Sequence, residues 1–293
     1  MARLVFLGTP AMAVAPLEAL LASGHDVALV VTRPDKRRGR GGALSPSPVK
    51  EAALALGLEV AHDLDRAGAV GAELGVVVAY GRIIPEAVLD RLPMVNLHFS
   101  LLPRWRGAAP VERAILAGDT TTGVDLMAVE AGLDTGPVYD EVVVPLDDEI
   151  TAEELRSRLV AAGCDLLRRN LGGGIAGLPA PRPQVGEPTW AEKITTDELA
   201  LAWDRPAAEL RRVVRLGRAW TTFRGRRLRV LATHPAPPGL AAPGPGVLDG
   251  TVVGAGGGTA LVLATVQPEG RQPMDAADWV RGVRPAPGEL LGA

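Results

Sequence analysis

The chain has 293 residues, with 31 Lys and Arg against 34 Asp and Glu for a net charge of −3, and it is 47% hydrophobic but only 3% aromatic. That composition supports one large or two ordinary globular domains around a Leu-, Val- and Ala-rich core. A disulfide scaffold and a Cys-based metal cluster are excluded, because Cys164 is the single cysteine, and no apolar run reaches the roughly 20 residues that span a bilayer.

In chain order, Arg3 to Gly8 is a short apolar run, expected as a strand rather than a signal peptide. It ends in Gly8-Thr-Pro10 and a helical stretch follows to Leu21. A Gly-x-Gly-x-x-Gly dinucleotide fingerprint is absent there. Further buried runs are Asp26 to Thr32, Gly75 to Tyr80, Val95 to His98 and Gly123 to Glu130. Helical patterns over Ser47 to Leu56 and Pro85 to Arg91 fall between them, and Cys164 sits in an Ala/Gly/Leu helix as a small hydrophobe. Apolar strands alternating with helices predict an α/β fold, a mostly parallel sheet covered on both faces. Its site belongs beyond the carboxyl ends of the strands. Leu178-Pro-Ala-Pro-Arg-Pro183 opens an extended connector to about Pro206. After a helix over Glu209 to Leu216, the runs Arg226 to Thr233, Gly246 to Gly254 and Thr259 to Gln267 alternate with Gly/Pro turns. That is the pattern of a small β-barrel.

Charge is uneven. Nine arginines and one acid, Glu209, lie between Arg205 and Arg229, giving +8 there and −11 on the remainder. Such a stripe is either a solvated face or a contact for a polyanion.

Two motifs carry chemistry. Asn96 and His98 are two apart on a predicted strand, so they project from one face at its carboxyl end. An amide and an imidazole side by side can donate to one developing oxyanion. A lone His on an apolar strand is more often a satisfied core residue, but Gly132-Leu-Asp134-Thr-Gly136 adds a carboxylate in a glycine-bracketed loop. A carboxylate near an imidazole orients it or moves protons itself. The histidines at 25, 62, 98 and 234 show no metal-ligand spacing, and no metal is expected.

His98-x-Ser100-Leu-Leu-Pro103, Arg104-Trp-Arg-Gly-Ala-Ala-Pro110 and Gly132-Leu-Asp-Thr-Gly136 together resemble the 10-formyltetrahydrofolate-dependent formyltransferases. So do Gly8-Thr-Pro10, Ser45-Pro-Ser-Pro-Val-Lys50, Val76-Val-Val-Ala-Tyr-Gly81 and Val266-Gln-Pro-Glu-Gly270, so the likeness runs through nearly the whole chain. It implies a Rossmann-like catalytic domain over 1–180, a linker over 181–206, and an OB-like domain over 207–293 that binds tRNA. It implies catalysis by Asn96, His98 and Asp134. A folate pocket is implied along Tyr80, Gly81, Arg82, Ile83, Ile84 and Pro85 and along Ser100, Leu101, Leu102 and Pro103. The implied reaction passes a formyl group from 10-formyltetrahydrofolate, as co-substrate, to the methionine amine of initiator tRNA. An amino sugar nucleotide is the alternative acceptor. Arg37, Arg38 and Arg40, in a loop that reaches toward the tRNA acceptor end, and Arg211, Arg212, Arg215 and Arg227 are implied tRNA contacts. A cytoplasmic monomer is expected. The family pattern is broken at Ala11-Met12, where Asp-Phe is usual, at Arg37-Arg38, where Pro-Ala is usual, and at Gly217-Arg-Ala-Trp220, where Asn-Pro-Trp-Pro is usual.

Overall fold

A computed structural model describes residues 1–38 and 43–293. The chain divides into two compact units, and neither is continuous in sequence. The first comprises 1–111, 120–146 and 155–192; the second comprises 112–119, 147–154 and 193–293.

The first unit is built on seven strands: β1 (Arg3–Gly8), β2 (Asp26–Val31), β3 (Val60–Ala61), β4 (Leu74–Val78), β5 (Met94–His98), β6 (Thr121–Ala128) and β7 (Val138–Pro145). Their order across the sheet is β7-β6-β5-β4-β1-β2-β3. The five strands from β5 to β3 are parallel, while β6 and β7 run antiparallel at one side. The strands β1 and β4 are almost wholly buried, as their continuous apolar runs predict. β7 alternates half-buried with exposed residues along Asp140 to Pro145, as suits an edge strand with one face in water, and its mixed polarity gives no apolar run in the sequence.

The carboxyl end of β5 is positioned by what lies on its two faces. Leu97 and Val124 point to the helix Ala152–Leu171, where a Cβ on Gly163 would come within 3.1 Å of Leu97. Asn96 and His98 therefore point to the opposite face. On that face the core runs through Val5, Leu7, Leu29, Val31 and Val77 to Tyr80, Ile84 and Val88. The helix Pro48–Ala55 starts where the sequence places it, because Ser47 accepts the amide of Lys50 and Pro48 occupies the first turn.

The second unit contains an antiparallel sheet of β8 (Trp220–Phe223), β9 (Arg226–Pro235), β10 (Leu248–Asp249), β11 (Val252–Ala255), β12 (Thr259–Pro268) and β13 (Met274–Asp275). Its order is β8-β9-β12-β11-β10, with β13 against β12. The sheet curls into a barrel-like shape, and Leu290 and Leu291 bridge Val247 and Phe223 at its two ends. Trp203, Phe223 and Trp279 fill the core, Phe223 and Trp279 edge to face at 5.1 Å.

The segment after Leu178 is not a bare connector. Arg182 pairs with Val138 through both backbone groups, and Trp190–Ala191 forms a short parallel ladder with Arg106–Gly107. Residues up to Glu192 thus belong to the first unit. Extended proline-rich backbone keeps most of its carbonyls and some amides free, and here a neighbouring loop satisfies them.

Candidate active site

Beyond β5 the chain turns through Ser100 to Ala109 and folds back over the strand end. Ser100 is buried and its hydroxyl donates to the Arg104 carbonyl at 2.6 Å. The Leu102–Pro103 bond is cis, and Trp105 adopts a left-handed backbone at φ +63°. That turn aims the Trp105 carbonyl at His98, whose Nε2–H donates to it at 2.9 Å. A carbonyl only accepts, so Nε2 carries the hydrogen, and Nδ1 is the nitrogen left facing the carboxylate.

The carboxylate is Asp134. Its backbone is also left-handed, at φ +52°. Its Oδ2 accepts the Gly107 amide at 2.8 Å and lies 3.6 Å from His98 Nδ1. Glycine is required at two places for this approach. Gly107 has φ +126°, and a Cβ there would sit 2.8 Å from the Ala191 carbonyl oxygen; a Cβ on Gly136 would sit 2.0 Å from that of Ala128. His98 and Asp134 are both largely withdrawn from water. Asn96 is half-buried on the same face as His98, and its side chain makes no hydrogen bond among the described residues. A neutral amide, an imidazole and a carboxylate thus meet at one strand end. Such a set can hold an oxyanion and move one proton.

The proposed folate segments leave neighbouring parallel strands at the same end of the sheet. Tyr80 is buried, and burial pushes its phenol above the usual range against the opposing influence of Arg82. The Tyr80 carbonyl accepts Thr9 at 3.0 Å. Ile84 is buried, while Arg82, Ile83 and Pro85 are exposed.

Two further residues, with no motif to mark them in the sequence, support the site. Gln184 donates to the carbonyls of Asp134 and Gly136, each at 2.8 Å, and accepts from Arg106 at 2.6 Å. Thr189 accepts the Trp105 amide at 2.8 Å, and its carbonyl accepts the Arg106 amide at 2.8 Å. Both lie within 181–206, the stretch expected as a linker, and together they pin the loops that carry Asp134 and the Trp105 carbonyl.

The expected tRNA contacts divide. Arg37 and Arg38 lie on the first strand of a short hairpin, Lys36–Arg38 with Ala43–Ser45, and Arg40 lies outside the described residues. In the second unit Arg211 pairs with Glu149, and Arg215 donates to the carbonyls of Ile150 and Asp147, both at 2.8 Å. Arg212 reaches the Ala117 carbonyl at 3.5 Å. The helix Ala207–Arg215 is therefore not the open cationic face expected from its spacing, since Arg211 and Arg215 fasten the segment 147–150. Arg227 differs: it is exposed and stacks on the Trp220 ring at 4.3 Å.

The sequence model of the formyl transferase family matches residues 2–171, and that of the formyl transferase C-terminal domain matches 193–284. The methionyl-tRNA formyltransferase of Streptomyces griseus is 44% identical over 315 aligned positions that cover 99% of each chain. Among solved structures, an N-formyltransferase from Helicobacter canadensis, in complex with folinic acid and dTDP-3-aminofucose, aligns over 92% of this chain and 100% of its own at 16% identity and a TM-score of 0.69. A methionyl-tRNA formyltransferase from Clostridium thermocellum covers 82% of this chain and 96% of its own at 14% identity and a TM-score of 0.58. At those identities the two structures speak for the fold alone.

Proposed function

The chain belongs to the formyl transferase family, and from that premise we propose that it transfers a formyl group from 10-formyltetrahydrofolate to the α-amino group of methionine on initiator tRNA. The observation that carries this reading is the 44% identity to a methionyl-tRNA formyltransferase along 99% of both chains. That identity extends through the C-terminal part.

The amine nitrogen attacks the formyl carbon, the carbonyl oxygen becomes an oxyanion, and the bond from carbon to N10 of the folate then breaks. Asn96 donates to the oxyanion from its amide. His98 has Nε2–H engaged by the Trp105 carbonyl, so it donates from Nδ1 only as the imidazolium. Asp134 faces that nitrogen, with its Oδ2 3.6 Å away. Its Oδ2 is held by the Gly107 amide, so the other oxygen takes the amine proton and returns it to the folate nitrogen as that nitrogen leaves. Holding both substrates in line contributes much of the acceleration. The folate lies along 80–85 and 100–103. Arg37, Arg38, Arg40 and Arg227 meet tRNA phosphates, and Arg212 contributes charge. The 1–180 region acts as the catalytic part, and the 207–293 region as the tRNA-binding part. Charged tRNA and reduced folates place the reaction in the cytoplasm, with the chain acting as a monomer. Among the described residues no helix is long and apolar enough to cross a membrane.

The test is formyl transfer from 10-formyltetrahydrofolate with charged initiator tRNA, charged elongator tRNA and amino sugar nucleotides in parallel. Transfer to initiator tRNA above the others is the expected result. Preference for an amino sugar nucleotide would overturn the acceptor assignment.

A further inference from the structure

One ionisable group beside the site has no part in the steps above. Asp125 lies on β6 directly opposite His98 and directly opposite Glu141 of β7. Opposed residues on antiparallel strands share a face, so Asp125 points to the same side as His98. It is 1% exposed. Its Oδ2 accepts the Leu102 amide at 2.7 Å, and its Oδ1 is buried without a hydrogen-bond partner. Two residues earlier Gly123 meets the same loop: a Cβ there would come within 2.4 Å of the Leu101 side chain. One carboxylate and one missing side chain on β6 thus form the seat of the loop that follows His98.

We propose that Asp125 is a positioning residue for formyl transfer: its grip on the Leu102 amide seats the Ser100–Pro103 loop, and with it the Trp105 carbonyl that orients His98. The proposal rests on the function given above for the loop and for His98. An isolated carboxylate in this position is costly, and a hydroxyl or amide would also accept one N–H. The distinctive property of a carboxylate is that its acceptor strength depends on ionisation, since hydrogen bonds to a charged acceptor are about twice as strong.

Burial pushes Asp125 up to about 7, and Glu141 across the strand pushes the same way; the Leu102 amide and Arg182, which pairs with Glu141, oppose them. His98 is the other titratable neighbour, from β5. Because the folded value lies above the ordinary one, Asp125 favours the fold below the usual carboxylate range, and that contribution is lost as pH rises through about 7. The carboxylate that grips the loop most strongly is the form that costs the fold most. Below about 7 the proton weakens the acceptor and has no partner at Oδ1, so the grip loosens.

The experiment compares the unmodified chain with Asp125→Ala and Asp125→Asn from pH 5.5 to 9. Hydrogen exchange at the Leu102 amide, corrected for its intrinsic rate, is read beside kcat and KM for 10-formyltetrahydrofolate, with circular dichroism as the fold control. In the unmodified chain, protection at Leu102 and kcat should fall together below about pH 7. Asp125→Ala should lose about tenfold in both, an effect of one hydrogen bond to a charged group. Asp125→Asn keeps an acceptor of the same shape, so it should lose less than Asp125→Ala and lose the pH dependence. Unchanged Leu102 protection or unchanged kcat in folded Asp125→Ala would overturn the proposal. So would a pH dependence at Leu102 that persists in Asp125→Asn. If the unmodified chain transfers no formyl group, the function above fails, while the amide measurement still decides whether Asp125 holds the loop.

Discussion

The strand end at His98 and the helix Ala207–Arg215 both look functional in the sequence, one by spacing and the other by charge. At the strand end, partners hold the side chains by one atom each. His98 is held at Nε2 and Asp134 at Oδ2, while Asn96 lies two residues before His98 on the same face with no side-chain hydrogen bond among the described residues. On the helix the guanidinium groups are engaged within the same unit, by two carbonyls at Arg215 and by an ion pair at Arg211. A functional constellation is marked by what is left over after the local contacts are made, and charge density does not measure that.

The comparison breaks most sharply at Asp134. Asp134→Asn keeps the bulk, removes the charge, and should lower turnover by about 10²- to 10⁴-fold. Single-turnover formyl transfer reads this, and a near-normal rate would remove the carboxylate from the chemistry. Asn96→Ala should cost about 10²- to 10³-fold in turnover, with little change in folate affinity. A loss confined to KM would make Asn96 a ground-state contact instead.

Gln184→Ala tests whether support from the proline-rich segment matters. Two hydrogen bonds of about 1 kcal/mol each hold the Asp134 loop, so turnover should fall about ten- to thirtyfold while the fold persists. The smallest effects separate the arginines. Arg215→Ala should lower unfolding stability by about 1–2 kcal/mol in urea titrations and leave the salt dependence of tRNA binding intact. Arg227→Ala should do the reverse, flattening that salt dependence by about 0.7–0.9 in slope. If the two variants exchange these phenotypes, the contrast drawn between helix and strand is wrong.

How much was legible follows from where each partner lies in sequence. Asn96 and His98 were readable because a strand has a period of two and one residue sets the face of the next but one. Asp134 was readable because its flanking glycines announce a constrained loop. Gln184 and Thr189 were not, since their partners are backbone groups 48 to 84 residues away. The acceptors of Arg215 are carbonyls too, and every residue has one, so no pattern announces them. Asp125 is one polar residue inside the run Gly123 to Glu130, and only the register opposite His98 gives it meaning. The barrel-like second sheet was legible from its turns, whereas the half-exposed edge strand Val138–Pro145 was hidden by its mixed polarity.

The alternation of the two units along the chain has a consequence for how modular this protein is. Short stretches at 112–119 and 147–154 belong to the second unit although they are embedded in the first. No single cut separates the two. A fragment ending at residue 180 would strand both stretches without their partners and would also discard Gln184 and Thr189. Transplanting the catalytic half onto another carrier therefore calls for re-stitching at several junctions. Divergence in such a protein is channelled into residue changes within loops, and wholesale exchange of domains is disfavoured by its own topology.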